Sequence, residues 1–202
     1  MVENPALVAL NFEQNHLDAT AAEALSNRLR TDAQIRYLNL RRNDVSWQGA
    51  MRLAMALETN MGVLHLDLGF NKVGSCGPIA GRSIADMICK NIVLRHLDLE
   101  ANDIGPDAGA AIAAALMRNN TLQFLNMINN HLEVDSGEAF LKALRVNTGI
   151  MEVHFSIEEI GADMHDAIRE LMRKRASLDN QVDPDIPQGG NTSAIVLRPP
   201  SS

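Results

Sequence analysis

The sequence predicts a right-handed α/β solenoid of about six repeats, with a parallel β-sheet on the concave side and α-helices on the convex side. Two observations carry that prediction. One apolar pattern with an embedded Asn recurs six times at near-constant spacing, and between its occurrences apolar pairs four residues apart recur in the same register. A period of this length marks units that cannot bury their own apolar face and must stack on their neighbours to do so.

The pattern is apolar-x-x-apolar-x-apolar-x-x-Asn-x-apolar. It begins at Leu7, Ile35, Val63, Leu94, Leu122 and Ile150, and places its Asn at Asn15, Asn43, Asn71, Asn102 and Asn130, with Glu158 in the sixth place. The spacings are 28, 28, 31, 28 and 28 residues. Alternation at the start of each unit reads as a short strand, because successive side chains of a strand point to opposite faces. Leu66 and Leu68 therefore point inward and their neighbours outward. The second half of each unit reads as a helix. Its paired positions are Leu25/Leu29, Leu53/Leu57, Ile84/Ile88, Ile112/Leu116, Phe140/Leu144 and Ile168/Met172, and a separation of four puts each pair on one helix face. Gly105-Pro106-Asp107 marks a helix start, with Pro where no hydrogen bond is lost. Asn60, Asn91, Asn119 and Asn147 recur where helices should end, in the role of residues that tolerate the left-handed conformation.

On these motifs the chain, over roughly residues 6 to 177, resembles the leucine-rich repeat family, in its long-repeat, ribonuclease-inhibitor-like branch. The resemblance implies a horseshoe that recognises other proteins and carries no catalytic residue and no cofactor. Within the family the general class of intracellular scaffolds, ciliary and cytoskeletal, fits first. The actin pointed-end-capping domain of tropomodulins is similar in having about five repeats and then a basic helix, matched here in charge by Arg173, Lys174 and Arg175. The Ran GTPase-activating proteins share the repeat length. This chain has fewer repeats and lacks their acidic C-terminal tract, so the resemblance assigns no catalytic residue.

Composition narrows the classes further. The chain has 202 residues, 46% of them apolar but only seven aromatic, so its core must be aliphatic. With 18 Lys plus Arg against 25 Asp plus Glu, the formal charge is −7. Nucleic-acid binding draws on clustered cations, so no nucleic-acid partner is expected. No run of 18 apolar residues and no cationic leader occurs, so no membrane partner is expected, and two cysteines make no disulfide framework. The expectation is a cytoplasmic protein of a reducing compartment. No phosphate-binding Gly-Lys loop, nucleophile elbow or HExxH string is present, so the reading is not an enzyme.

The pattern breaks in three places. The 31-residue spacing puts extra residues between Val73 and Gly81, a Gly- and Pro-rich stretch read as a convex bulge, not as a loop built around a reactive Cys76; Cys89 should simply pack. At the C-terminal end Glu158 replaces Asn and the helix from Asp163 to Ser177 is charged, as a capping repeat should be. Residues 1–178 are thus expected to form the solenoid and its cap, and residues 179–202, with four of the seven prolines, an extended or disordered tail. Ser193 to Arg198 is its one apolar stretch and could dock as a strand elsewhere. The first strand has no capping element before it, so its open edge is expected to meet a partner, a large assembly or a second copy.

Outward positions of neighbouring strands lie about 4.8 Å apart and form ladders. The first ladder runs Ala9, Tyr37, His65, His96, Phe124, Glu152, a ring-bearing ribbon along the middle of the face. The candidate partner-binding residues are Tyr37, Asn39, Arg41, His65, Asp67, His96, Asp98, Glu100, Phe124 and Asn126. Asn15, Asn43, Asn71, Asn102 and Asn130 are assigned to a buried structural ladder, since a buried polar group persists only when hydrogen-bonded. His65, His96, Asp67 and Asp98 form a two-by-two block. A flat sheet splays such groups instead of converging them, so no metal is expected. The carboxylates beside these imidazoles should raise the His pKa values toward neutrality.

Overall fold

The computed structural model describes residues 7–179. They form β1 (Ala9–Asn11), α1 (Ala19–Leu29), β2 (Tyr37–Asn39), α2 (Trp47–Leu57), β3 (His65–Asp67), α3 (Ile79–Lys90), β4 (His96–Asp98), α4 (Pro106–Leu116), β5 (Phe124–Asn126), α5 (Val134–Val146), β6 (Glu152–His154), α6 (Ile157–Ile160) and α7 (Ala162–Asp179). The six strands make one parallel sheet in chain order, in the register Tyr37, His65, His96, Phe124, Glu152. The tail expected from residue 179 onward lies, after Asp179 itself, outside the described residues.

The core sits between the sheet and the helix layer. Leu38, Leu66, Leu97 and Leu125 come from the middle of the strands, and Leu53, Ile84, Ile112 and Phe140 from the facing helix stripes; all are buried. Full burial of such a side chain stabilises by about 1.5–3 kcal/mol relative to exposure. Helices approach closely where one presents glycine: a Cβ at Gly81 of α3 would collide with Ala108 of α4. Helix starts follow local chemistry. Asp18 caps α1 by accepting from the Thr20 and Ala21 amides, at 2.9 and 3.0 Å, and Pro106 opens α4.

The first five strands end in the same way. Gln14, Arg42, Phe70, Ala101 and Asn129, one per repeat, have φ between 51° and 58°, turning the chain out of the sheet just before the template Asn. Their side chains share nothing, so the turn leaves no trace in the residue types. The extra residues of the third repeat form turns from Val73 to Pro78, between β3 and α3, against Asp103 of the next repeat. They sit on the strand-to-helix rim, not on the convex helix layer. Cys76 is exposed there, and Cys89 packs against the core.

Two columns of buried polar side chains tie the repeats together. In the first, Asn71 Nδ2 donates to the Leu40, Leu68 and Gly69 carbonyls while its Oδ1 accepts from the Val45 amide. Asn43, Asn102 and Asn130 repeat the scheme. Asn15 departs from it: it is exposed and donates only to Phe12 and Glu13 of its own turn, because no described repeat stacks on its other side. Glu158 is also exposed and does not continue the column. The next residue, Glu159, turns its carboxylate inward beside Ser156 and the Asn130 amide, and burial raises its pKa. Neither of its oxygens makes a hydrogen bond of ordinary geometry.

The second column corrects the expectation for the helix ends. Asn91 and Asn147 are extended, with ψ near 130°, and neither Asn60 nor Asn119 is left-handed. All four are buried cross-links. Asn60 Nδ2 donates to the Leu29 and Asp32 carbonyls, both at 2.7 Å, and its Oδ1 accepts from Gly62 and Val63. Asn91, Asn119 and Asn147 do the same one repeat further on. The column begins at Asp32, which only accepts, from the Gln34 and Ile35 amides, and ends at Arg175, which only donates. Arg175 reaches the Leu144, Asn147 and Ile150 carbonyls. It therefore belongs to the interior and not to a basic outer face. Arg173 and Lys174 do face out, both paired with Glu170.

Candidate interaction face

The concave surface is three side-chain columns wide. In the first column the register puts each ring directly against the next. Tyr37 stacks on His65 at 4.5 Å between centroids, His65 lies 5.3 Å from His96, and His96 stacks on Phe124 at 3.9 Å with 4° between planes. Sequence reasoning ends this ribbon at Glu152, but in space it ends at His154, edge-on to Phe124 at 5.3 Å and 2.7 Å from the Glu152 carboxylate. Because the rings use their faces on one another, they present edges outward. Tyr37 is the most open of the four, at 41% exposure. Among the described residues no hydrogen bond engages the Tyr37 hydroxyl or the ring nitrogens of His65 and His96.

The two imidazoles do not titrate as the sequence suggests. Burial lowers the pKa of His65, helped by the Arg95 charge; burial and then His65 lower that of His96, outweighing Asp98 and Glu152. Both are neutral at pH 7.

The second column is Asn11, Asn39, Asp67, Asp98 and Asn126, and it ends each strand. In every case one side-chain oxygen accepts from the amide two residues on, at 2.8–3.1 Å. Asn39, Asp67, Asp98 and Asn126, taken from sequence as contact residues, are therefore half engaged in making the turn. Asn126 departs furthest from that reading. It is only 7% exposed, and its amide donates to Asp98 at 3.1 Å.

The third column holds Arg41, the one cation among the described residues of the three columns. Arg41 leans from the second repeat across the third to the fourth, meeting Glu100 at 2.6 Å, Asp98 at 3.5 Å and Asp67 at 3.7 Å. Gly69 makes the crossing possible, since a Cβ there would collide with Arg41 Nη1. The guanidinium also covers the Phe70 ring at 4.6 Å. Burial alone would lower the Arg41 pKa, but Glu100, Asp67 and Asp98 raise it. Burial, together with the Asp98 charge, pushes Asp67 up to about 6 in spite of the Gly69 amide and Arg41. Gly69, Phe70 and His154 were not singled out from sequence. A small residue opposite a long one in the neighbouring repeat was the available signal for Gly69.

Comparison with known proteins agrees with the fold. A family model described as Leucine Rich repeat matches residues 90–113, which span the β4 unit. No curated protein sequence matches the chain. Among solved structures 56 chains match. One, "Leiomodin-1 Actin-Binding Site 2 (ABS2)", is 23% identical with a TM-score of 0.68, covering 77% of this chain and 90% of that one. The chain has a leucine-rich-repeat fold. Its repeats place on one face what no single unit could, a continuous ring ribbon flanked by Glu13, Asp67, Asp98, Glu100 and Glu152, with Arg41 held among the acids. Such a leucine-rich repeat face offers edges, hydroxyl and imidazole groups and excess negative charge, laid along a surface instead of converging in a pocket. No helix among the described residues is long and apolar enough to cross a membrane.

Proposed function

We propose that this chain is a non-catalytic protein-binding module, a scaffold subunit that takes its partner on the concave face. One observation carries the reading: Tyr37, His65 and His96 keep free polar atoms on a stacked, rigid ribbon while the polar groups beside them are already engaged. Rings held in place by one another lose little freedom on binding, and aromatic anchors of this kind dominate interface energetics. The surrounding carboxylates favour a partner surface rich in N–H donors and Lys or Arg.

A cytoskeletal partner, and a cytoplasmic location with it, is the second element of the proposal. The fold neighbour is named as an actin-binding site, and this favours an actin-type partner over a GTPase. The charge of Arg173, Lys174 and Arg175 does not add to it, since Arg175 caps a buried column. Co-purification from native extract, followed by sedimentation with filamentous actin, tests both levels. Tyr37→Ala and Phe124→Ala are each expected to weaken binding by about 1–3 kcal/mol with the helical circular-dichroism signal intact. Unchanged affinity would move the contact off this face, and loss of the helical signal would make the rings structural.

A further inference from the structure

The sheet is open at β6. Along the solenoid, the carbonyls of Val8, Arg36, Leu64, Arg95 and Gln123 each accept from two amides of the following repeat, and the amides of Phe12, Leu40, Leu68, Leu99 and Met127 each donate to it. Met151 and Phe155 hold the sixth place in these two series; no described residue completes them, and Val153, in register with Leu125 on the inner side, has no described strand on its outer side. α7 does not cover this edge, because it packs on α5 and α6. Between β6 and α7 lies a groove of about 310 Å³ with an apolar set of Met151, Val153, Phe155, Ile168 and Met172 and a polar set of Glu152, His154, His165 and Arg169 in its lining. Met151 is 63% exposed. The groove is thus apolar on its floor and carries unpaired backbone donors and acceptors along one wall, which is what an added strand requires.

We propose that Ser193–Leu197 of this chain adds to β6 as a seventh strand. Arg175 Nη1 donates to the Ile150 carbonyl at 3.1 Å, so the last turns of α7 pass beside the entrance to β6. The 13 residues from Asn180 to Thr192 span up to on the order of 40 Å when extended, ample for a return along the edge. Within residues 180–202 only this stretch has strand chemistry. Pro184 and Pro187 exclude the nearer Val182 and Ile186, as proline supplies no N–H to a ladder, whereas Ala194-Ile195-Val196-Leu197 is uninterrupted until Pro199. Alternation puts Ile195 and Leu197 on one face, able to meet the groove floor while Val196 points away.

Amide hydrogen exchange on the full-length chain tests this, read at Val153 and Phe155 with Leu125 as the internal reference for an intact fold. In the native sequence Val153 should exchange nearly as slowly as Leu125. In Ile195→Asp/Leu197→Asp its protection should fall at least tenfold with Leu125 unchanged. Rapid exchange of Val153 in the native chain overturns the proposal. So does protection that survives the double substitution; if that protection also falls on dilution, a second copy covers the edge.

Discussion

The buried asparagine columns and the concave columns run along the same solenoid with the same period, yet they differ in what their polar atoms do. Asn60, Asn71, Asn91 and Asn119 direct both amide nitrogen and oxygen at backbone groups of their own and the preceding repeat. Tyr37, His65 and His96 meet only the ring faces of one another and of Phe124. A column with nothing left over can serve only the fold, whereas one with free edges can serve a partner. The largest test of this difference is Asn102→Leu. It removes one of the two donors at each of the Leu68 and Glu100 carbonyls and strands the Val73 amide at a fully buried site, and should lower unfolding stability by about 2–3 kcal/mol, read from the urea midpoint. Tyr37→Ala should leave that midpoint nearly unchanged.

The ends of the columns sharpen the comparison. A column of asparagines needs a terminal residue that serves the last repeat without needing a next one. For the helix-end column that residue is a pure donor, Arg175. Arg175→Met leaves the Leu144, Asn147 and Ile150 carbonyls without that partner, and a loss of about 1–2 kcal/mol is expected in chemical unfolding. Arg173→Met removes the same charge two residues away and should not move the midpoint, since its partner Glu170 is a surface group. Equal effects of the two would mean that Arg175 acts through surface charge after all.

How far these features were legible follows from their physics. Strands and helices were readable because apolar periodicity is set by burial, and burial by the repeat itself. Helix-end asparagines stood at the right places for another reason than the one their residue type suggests, since Asn serves equally as a left-handed cap and as a two-sided cross-link. Arg175 was within reach: it stands 28 residues after Asn147, where the column demands a member. The Arg41 cage was only half within reach: Gly69 opposite Arg41 marks the gap, but that the guanidinium reaches through it from the second repeat to Glu100 of the fourth depends on the packed sheet. The lowering of the imidazole pKa values was out of reach, since it depends on how deeply stacking buries them.

Asp67 marks the border between the two kinds of column, making the strand-end turn while its charge faces the concave side. Its pKa is raised to about 6 from an ordinary 3.8. Between those values the folded chain holds a proton that the unfolded chain has lost, so this group makes stability fall as pH rises from about 4 to 6 and leaves a constant penalty above. Asp67→Asn keeps the oxygen that accepts from Gly69, as Asn11, Asn39 and Asn126 do in their own repeats. The substitution should raise stability at pH 8 by about 1 kcal/mol, after allowance for partial exposure, and flatten the pH dependence between 4 and 6. A midpoint that drops at pH 8 would show instead that the charge is needed to hold Arg41.

The smallest effect belongs to the template position that looks most like the largest. Asn15 and Asn102 occupy the same place in the repeat, but Asn15 donates at 2.8 and 3.0 Å to carbonyls of its own exposed turn and ties nothing across repeats. Water can replace both bonds, so Asn15→Leu, the same change as at Asn102, should cost no more than about 0.5 kcal/mol. The contrast with Asn102 then measures what the repeat adds, because the side chain and its local turn are held constant and only the stacked neighbours differ. A loss at Asn15 approaching that at Asn102 would mean that this first turn is covered in solution, and would locate a second contact surface at the β1 end of the sheet.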